Sequence, residues 1–127
     1  MHIGLLEDDI AIQEMLRLVL QDEGYSVIIF PTAEDCLNAL VVNAQTKPST
    51  PLDLLIVDWR LPGSVSGTEV IHQLRDQANL SSLPIILTTA ATFSDTEELQ
   101  TLDITLLEKP FAIDDIVDRI KVLTLKS

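Results

Sequence analysis

Five short runs rich in Ile, Leu and Val, at residues 3–6, 27–30, 52–57, 85–88 and 104–107, are separated by stretches with helical periodicity. That alternation points to an α/β domain on a parallel sheet, because parallel strands must be joined by crossovers and helices make them. The runs are almost continuously apolar, which predicts strands covered on both faces. After the first run, Ile12, Met15, Leu16, Val19 and Leu20 define one apolar helix face that Gly24 ends. Ala33, Cys36, Leu37 and Leu40 give a second helix, and Val70, Ile71 and Leu74 a third. Ile113, Ile116, Val117, Ile120 and Leu123 give the last. A short, weak helix is expected at 94–102, and a loop at 45–51, which carries two prolines and no apolar period.

The chain has 127 residues, enough for one core without disulfides and too few for a second folded domain, so 1–127 is expected to be a single domain. No apolar run is long enough to span a bilayer and the N-terminus lacks the pattern of a secretion signal, so the expected setting is the cytoplasm, without membrane attachment. Cys36, the one cysteine, falls on an apolar helix face and reads as a buried small hydrophobe. A formal charge of −12 repels a phosphate backbone and argues against direct nucleic-acid binding. Residues 76–108 contain no Lys or Arg but include Asp95, Glu97, Glu98 and Asp103, which predicts an acidic face.

Ligands of open parallel sheets bind beyond the carboxyl ends of the strands. There the sequence places Glu7, Asp8 and Asp9 after strand one, Asp58 after strand three, Thr88 and Thr89 after strand four, and Glu108, Lys109 and Pro110 after strand five. One of Asp8 and Asp9 has an ordinary use as the N-cap of the first helix. Crowded carboxylates repel unless a cation joins them, and oxygen ligands with no His or Cys favour a hard metal, Mg²⁺ before Ca²⁺. Beside such an ion one carboxylate can attack phosphorus, and Asp58, ending the most buried strand, is best placed. Lys109 and Thr89 suit the stabilisation of phosphoryl oxygens.

Taken together, Glu7-Asp8-Asp9, Asp58-Trp59-Arg60-Leu61-Pro62-Gly63, Thr89-Ala90 and Lys109-Pro110-Phe111 resemble the receiver domains of two-component response regulators, in the right order over the whole chain. The resemblance implies a doubly wound, three-layer, flavodoxin-like domain with five strands in the order 2-1-3-4-5 and five helices. It implies Asp58 as phosphoacceptor and Glu7, Asp8, Asp58 and the Arg60 backbone carbonyl as ligands of Mg²⁺, with Mn²⁺ as a substitute. Thr89 would be the switch hydroxyl, Lys109 the phosphate-pairing ammonium, and Ala90 and Trp59 would border the phosphate. The donor would be a sensor histidine kinase or phosphotransfer protein, and the output an effector domain, a downstream protein or a phosphorylation-dependent homodimer.

Where this family carries Tyr or Phe three residues before the lysine, this chain has Leu106, so the usual aromatic switch is missing. Gly67 comes one position late. The charge pattern of the family's dimers is half present: Asp115, Arg119 and Lys121 fit, but 76–108 offers no basic partner. A second reading is a pseudo-receiver, an interaction module working without phosphorylation. A haloacid-dehalogenase-type phosphatase would need an acid where Arg60 stands. A flavodoxin's flavin phosphate would be repelled by Glu7, Asp8 and Asp9.

Overall fold

In the computed structural model the described residues are 1–42, 52–58, 67–77, 80–89, 104–108 and 112–124. The chain forms β1 (His2–Leu6), α1 (Ile10–Asp22), β2 (Ser26–Phe30) and α2 (Ala33–Leu37), which continues as a π-helical turn, Asn38–Val42. There follow β3 (Leu54–Asp58), α3 (Gly67–Arg75), β4 (Ile85–Thr89), β5 (Thr105–Glu108) and α4 (Ile113–Thr124). All five strands pair in parallel, in the order β2-β1-β3-β4-β5. Winding therefore reverses between β1 and β3. Four helices lie among the described residues; the helix expected at 94–102 and the loop at 45–51 fall outside them.

Alternation along the strands divides the core. Leu6, Phe30, Leu55, Val57, Ile85 and Leu87 pack with Cys36 of α2 and Val70, Ile71 and Leu74 of α3. Ile3, Leu5, Leu54, Ile56 and Ile86 pack on the opposite face with Leu16 and Leu20 of α1 and Ile116, Val117 and Ile120 of α4. Both faces are covered at every position of β3 and β4, but the edge strands β2 and β5 are only partly buried, since each has a neighbour on one side alone. The strand bounds also move. β3 starts at Leu54 because Asp53 makes a corner with β1: its N–H donates to the His2 carbonyl (2.8 Å) and its Oδ2 accepts from the His2 N–H (2.7 Å). At the other end β3, β4 and β5 run one residue further than expected and take in Asp58, Thr89 and Glu108.

The expected face of α1 is narrower in the fold: Leu16 and Leu20 are fully buried, while Met15, one helical step round, is 38% exposed. Ile113 likewise lies outside the buried face of α4. Gly24 ends α1 with φ +92°, its N–H donating to Gln21 O (3.0 Å) and that of Tyr25 to Leu20 O (3.0 Å), a Schellman closure in which Tyr25 joins the cluster that holds Leu20. Between α3 and β4, Arg75 Nη1 donates to the carbonyls of Leu80 (3.0 Å) and Leu83 (2.7 Å). No described helix is long and apolar enough to cross a membrane.

Two stability predictions arise from the packing. A Cβ on Gly4 would lie 2.7 Å from Leu52 Cδ1, 2.8 Å from Leu55 Cδ1 and 3.1 Å from Phe30 Cε2. Gly4→Ala is therefore expected to destabilise the fold by about 1–3 kcal/mol, the usual effect of overpacking. A urea midpoint equal to the parent's would show that the leucines give way freely. The second concerns Cys36, which is wholly buried and whose thiol is pushed up from 9.0 to about 12 by that burial. The unfolded chain ionises this thiol from about pH 9 while the folded chain keeps it protonated. Its contribution to stability is complete below that pH and falls between pH 9 and about 12, by up to about 1.4 kcal/mol per unit. Cys36→Ala should lose this part of the alkaline slope; an unchanged slope would rule the thiol out as its source.

Candidate functional site

Leu6 of β1 lies in register with Val57 of β3, so Glu7 and Asp58 stand one step beyond that pair at the carboxyl edge of the sheet, where the winding reverses. Carboxylate oxygens of Glu7, Asp8 and Asp58 come within 4.8 Å of one another. Glu7 (2% exposed) and Asp58 (6%) are buried, whereas Asp8 faces solvent. Of the three consecutive acids, capping falls to Asp9, whose Oδ1 accepts from the N–H groups of Ala11 (2.9 Å) and Ile12 (3.2 Å). That leaves Asp8 for the cluster.

Glu7 is held through its backbone and its side chain. Its N–H donates to Phe30 O (3.2 Å), and its Oε2 accepts from the N–H groups of Asp8 (3.1 Å) and Asp9 (3.2 Å). Its carbonyl accepts from Gln13 Nε2 at 2.6 Å. Of these, the Asp8 and Asp9 amides are the ones that reach the buried carboxylate, and such donors favour a charged acceptor. The three acids together offer only hard oxygen ligands, close enough for one cation to touch all of them, and too few to fill the larger shell of Ca²⁺. The donor set therefore fits a hard divalent cation of small coordination shell.

The two threonines of β4 divide by register. Thr88 is the partner of Asp58, and its Oγ1 reaches the Val57 carbonyl at 3.4 Å, tying β4 to β3. Thr89, also buried, ends β4 opposite Glu108, one position past the Asp58 pair. Leu106 lies beside Leu87 across β4 and β5 and packs, partly buried, against the core on the α2 and α3 side. Trp59, Arg60, Ala90, Lys109, Pro110 and Phe111 lie outside the described residues. Gln13 went unnoticed in the sequence: an amide on a helix reads as a surface residue, and only the close approach of α1 to the β1 end shows its contact with Glu7.

A family model described as the response regulator receiver domain matches residues 3–121. The response regulator MprA of Mycobacterium leprae is 36% identical over 126 residues, which are 97% of this chain and 50% of that protein. The phosphate regulon transcriptional regulatory protein PhoB of Pseudomonas aeruginosa is 32% identical over 124 residues, 95% of this chain and 50% of PhoB. The chain thus spans about half the length of the curated relatives it matches. Among solved structures, the chemotaxis protein CheY4 of Vibrio cholerae has a TM-score of 0.80 at 25% identity, covering 96% of this chain and 97% of that one. The receiver domain of Francisella response regulator 1452 gives 0.81 at 22% identity, covering 98% and 97%, a likeness of fold.

Proposed function

We propose, for a chain that belongs to the response regulator receiver family, a switch that takes a phosphoryl group onto Asp58 from a sensor histidine kinase or phosphotransfer protein and passes the change to an effector. The observation that carries this reading is the meeting of Glu7, Asp8 and Asp58 within 4.8 Å where the sheet's winding reverses. The chain is read as one receiver domain working in the cytoplasm, with no direct part in binding nucleic acid.

In the step itself an oxygen of the Asp58 carboxylate forms the new bond to phosphorus while the bond from phosphorus to the donor's imidazole nitrogen breaks. The product is an acyl phosphate, and the imidazole leaves with its electron pair. Glu7, Asp8, Asp58 and the Arg60 carbonyl would hold Mg²⁺, or Mn²⁺ in its place, which when bound neutralises charge on the transferring group. Lys109 and Thr89 are proposed as the donors to the phosphoryl oxygens, with Ala90 and Trp59 as the residues that would border them. Thr89 and Leu106 lie on adjacent strands, so movement of Thr89 toward the phosphate repacks the β4 and β5 side and α4. A phosphorylation-dependent homodimer would use that same side, with Asp115 and Arg119 exposed on α4, while Lys121 already stands 3.7 Å from Glu23, the C-cap of α1.

Acetyl phosphate or phosphoramidate with and without Mg²⁺, followed by intact mass measurement, tests the reading. A gain of one phosphoryl mass that needs the metal is expected. No gain from either donor would replace this function with that of a module that signals without phosphorylation. For coupling, Thr89→Ala is expected to take up phosphate yet lose most of the induced change in the amide spectrum of residues 104–124. A full shift in that variant would remove Thr89 from the relay. A complete switch from 1:99 to 99:1 requires about 5.5 kcal/mol, so one lost hydrogen bond to a charged group, about 1.5–3 kcal/mol, blunts it visibly.

A further inference from the structure

The peptide between Glu7 and Asp8 joins two members of the acidic group, and its orientation bears on where the Asp8 carboxylate lies. Glu7 is anchored through its N–H on Phe30 and through its Oε2 on the Asp8 and Asp9 amides. Its carbonyl, which belongs to the peptide in question, accepts from Gln13 Nε2 at 2.6 Å in a partly buried setting. Gln13 sits on a rigid element: α1 is capped by Asp9, the Gln13 N–H donates to the Asp9 carbonyl (2.9 Å), and Leu16 and Leu20 are fully buried beneath. The connection from β1 to α1 is thus closed from both ends, by the Asp9 cap on the helix and by the Gln13 amide reaching back to the strand. Asp8, facing solvent, has little packing of its own to hold it.

We propose that Gln13 is a positioning residue for the Glu7–Asp8 pair: its side-chain amide fixes their shared peptide so that Asp8 stays within reach of a cation held with Glu7 and Asp58, an inference that rests on the Mg²⁺ site proposed above. A neutral amide suits the task. It donates a hydrogen bond without placing a positive charge beside three carboxylates, where an ammonium or guanidinium would compete with the cation.

The experiment is a titration of the full chain with MgCl₂ alone, followed by calorimetry, for the parent, Gln13→Met and Gln13→Arg, with melting temperatures in EDTA recorded separately. Met matches Gln in length but cannot donate. Gln13→Met is expected to bind Mg²⁺ about tenfold more weakly, the lower end of the range for residues that orient metal ligands, while melting in EDTA close to the parent. Arg restores a donor and adds charge, so its deficit relative to the parent should shrink as ionic strength rises from about 0.05 to about 0.5 M, whereas that of Met should persist. If Gln13→Met loses its fold, Gln13→Asn, one methylene too short to reach, carries the same expectation. Parent-like affinity in the non-donating variant overturns the proposal, as does an Arg variant that stays as weak as Met at every ionic strength. A parent that shows no response to Mg²⁺ overturns the metal site itself, and the role of Gln13 with it.

Discussion

Asp58→Asn is expected to gain no phosphoryl mass from acetyl phosphate under conditions where the parent is modified to a large extent, while folding as the parent does. An amide oxygen at this position is far less nucleophilic than a carboxylate, and the neighbouring acids are poorly set to replace it. Glu7 has one oxygen already engaged by two backbone amides, and Asp8 is exposed rather than held in the sheet edge. The expected effect is therefore loss of uptake rather than slowing. A phosphoryl group found on the Asp58→Asn variant, and mapped by fragmentation to Glu7 or Asp8, would move the nucleophile elsewhere in the cluster.

Asp8→Asn is expected to remove the stabilisation that Mg²⁺ confers. At a free Mg²⁺ concentration about 100-fold above its Kd, an ion that binds only the folded chain adds about 2.7 kcal/mol, or a rise in melting temperature on the order of 10 °C for a domain of this size. With one of the three carboxylates neutral, that rise should shrink to a small fraction. Melting in EDTA should change little, since Asp8 faces solvent and Asp9, not Asp8, caps α1. An undiminished Mg²⁺ response in the variant would exclude Asp8 as a ligand.

The strand pattern is open to reading because burial is what makes a strand apolar: 85–88 and 54–57 are covered on both faces and spell it out. At the edges that logic weakens, and β2, with Ser26 and Ile28 exposed, is recognisable mainly by its β-branched residues. Glu7, Asp8 and Asp58 were found together because position after a strand is a geometric address in a parallel sheet. The choice between Asp8 and Asp9 as helix cap was not legible, since both have the chemistry; it is decided by which of them has its carboxylate over the N–H groups of Ala11 and Ile12. Nor was the contact of Gln13 with Glu7, which spans six residues and two elements. Periodicity places Met15 and Ile113 on apolar faces, yet both are exposed, because it marks a stripe but not its width.

The guanidinium of Arg75, bonded to the carbonyls of Leu80 and Leu83, has a mechanical consequence. It clamps the chain just before β4, and the ladder to β3 begins at once, with the Leu55 N–H on the Pro84 carbonyl. A beam built in at one end does not slide along its length; it deflects sideways at its tip. Thr89 is that tip: the pairing with β3 ends at Asp58 and Thr88, and Thr89 is partnered by Glu108 of β5, so a push on Thr89 is expected to reach β5 first.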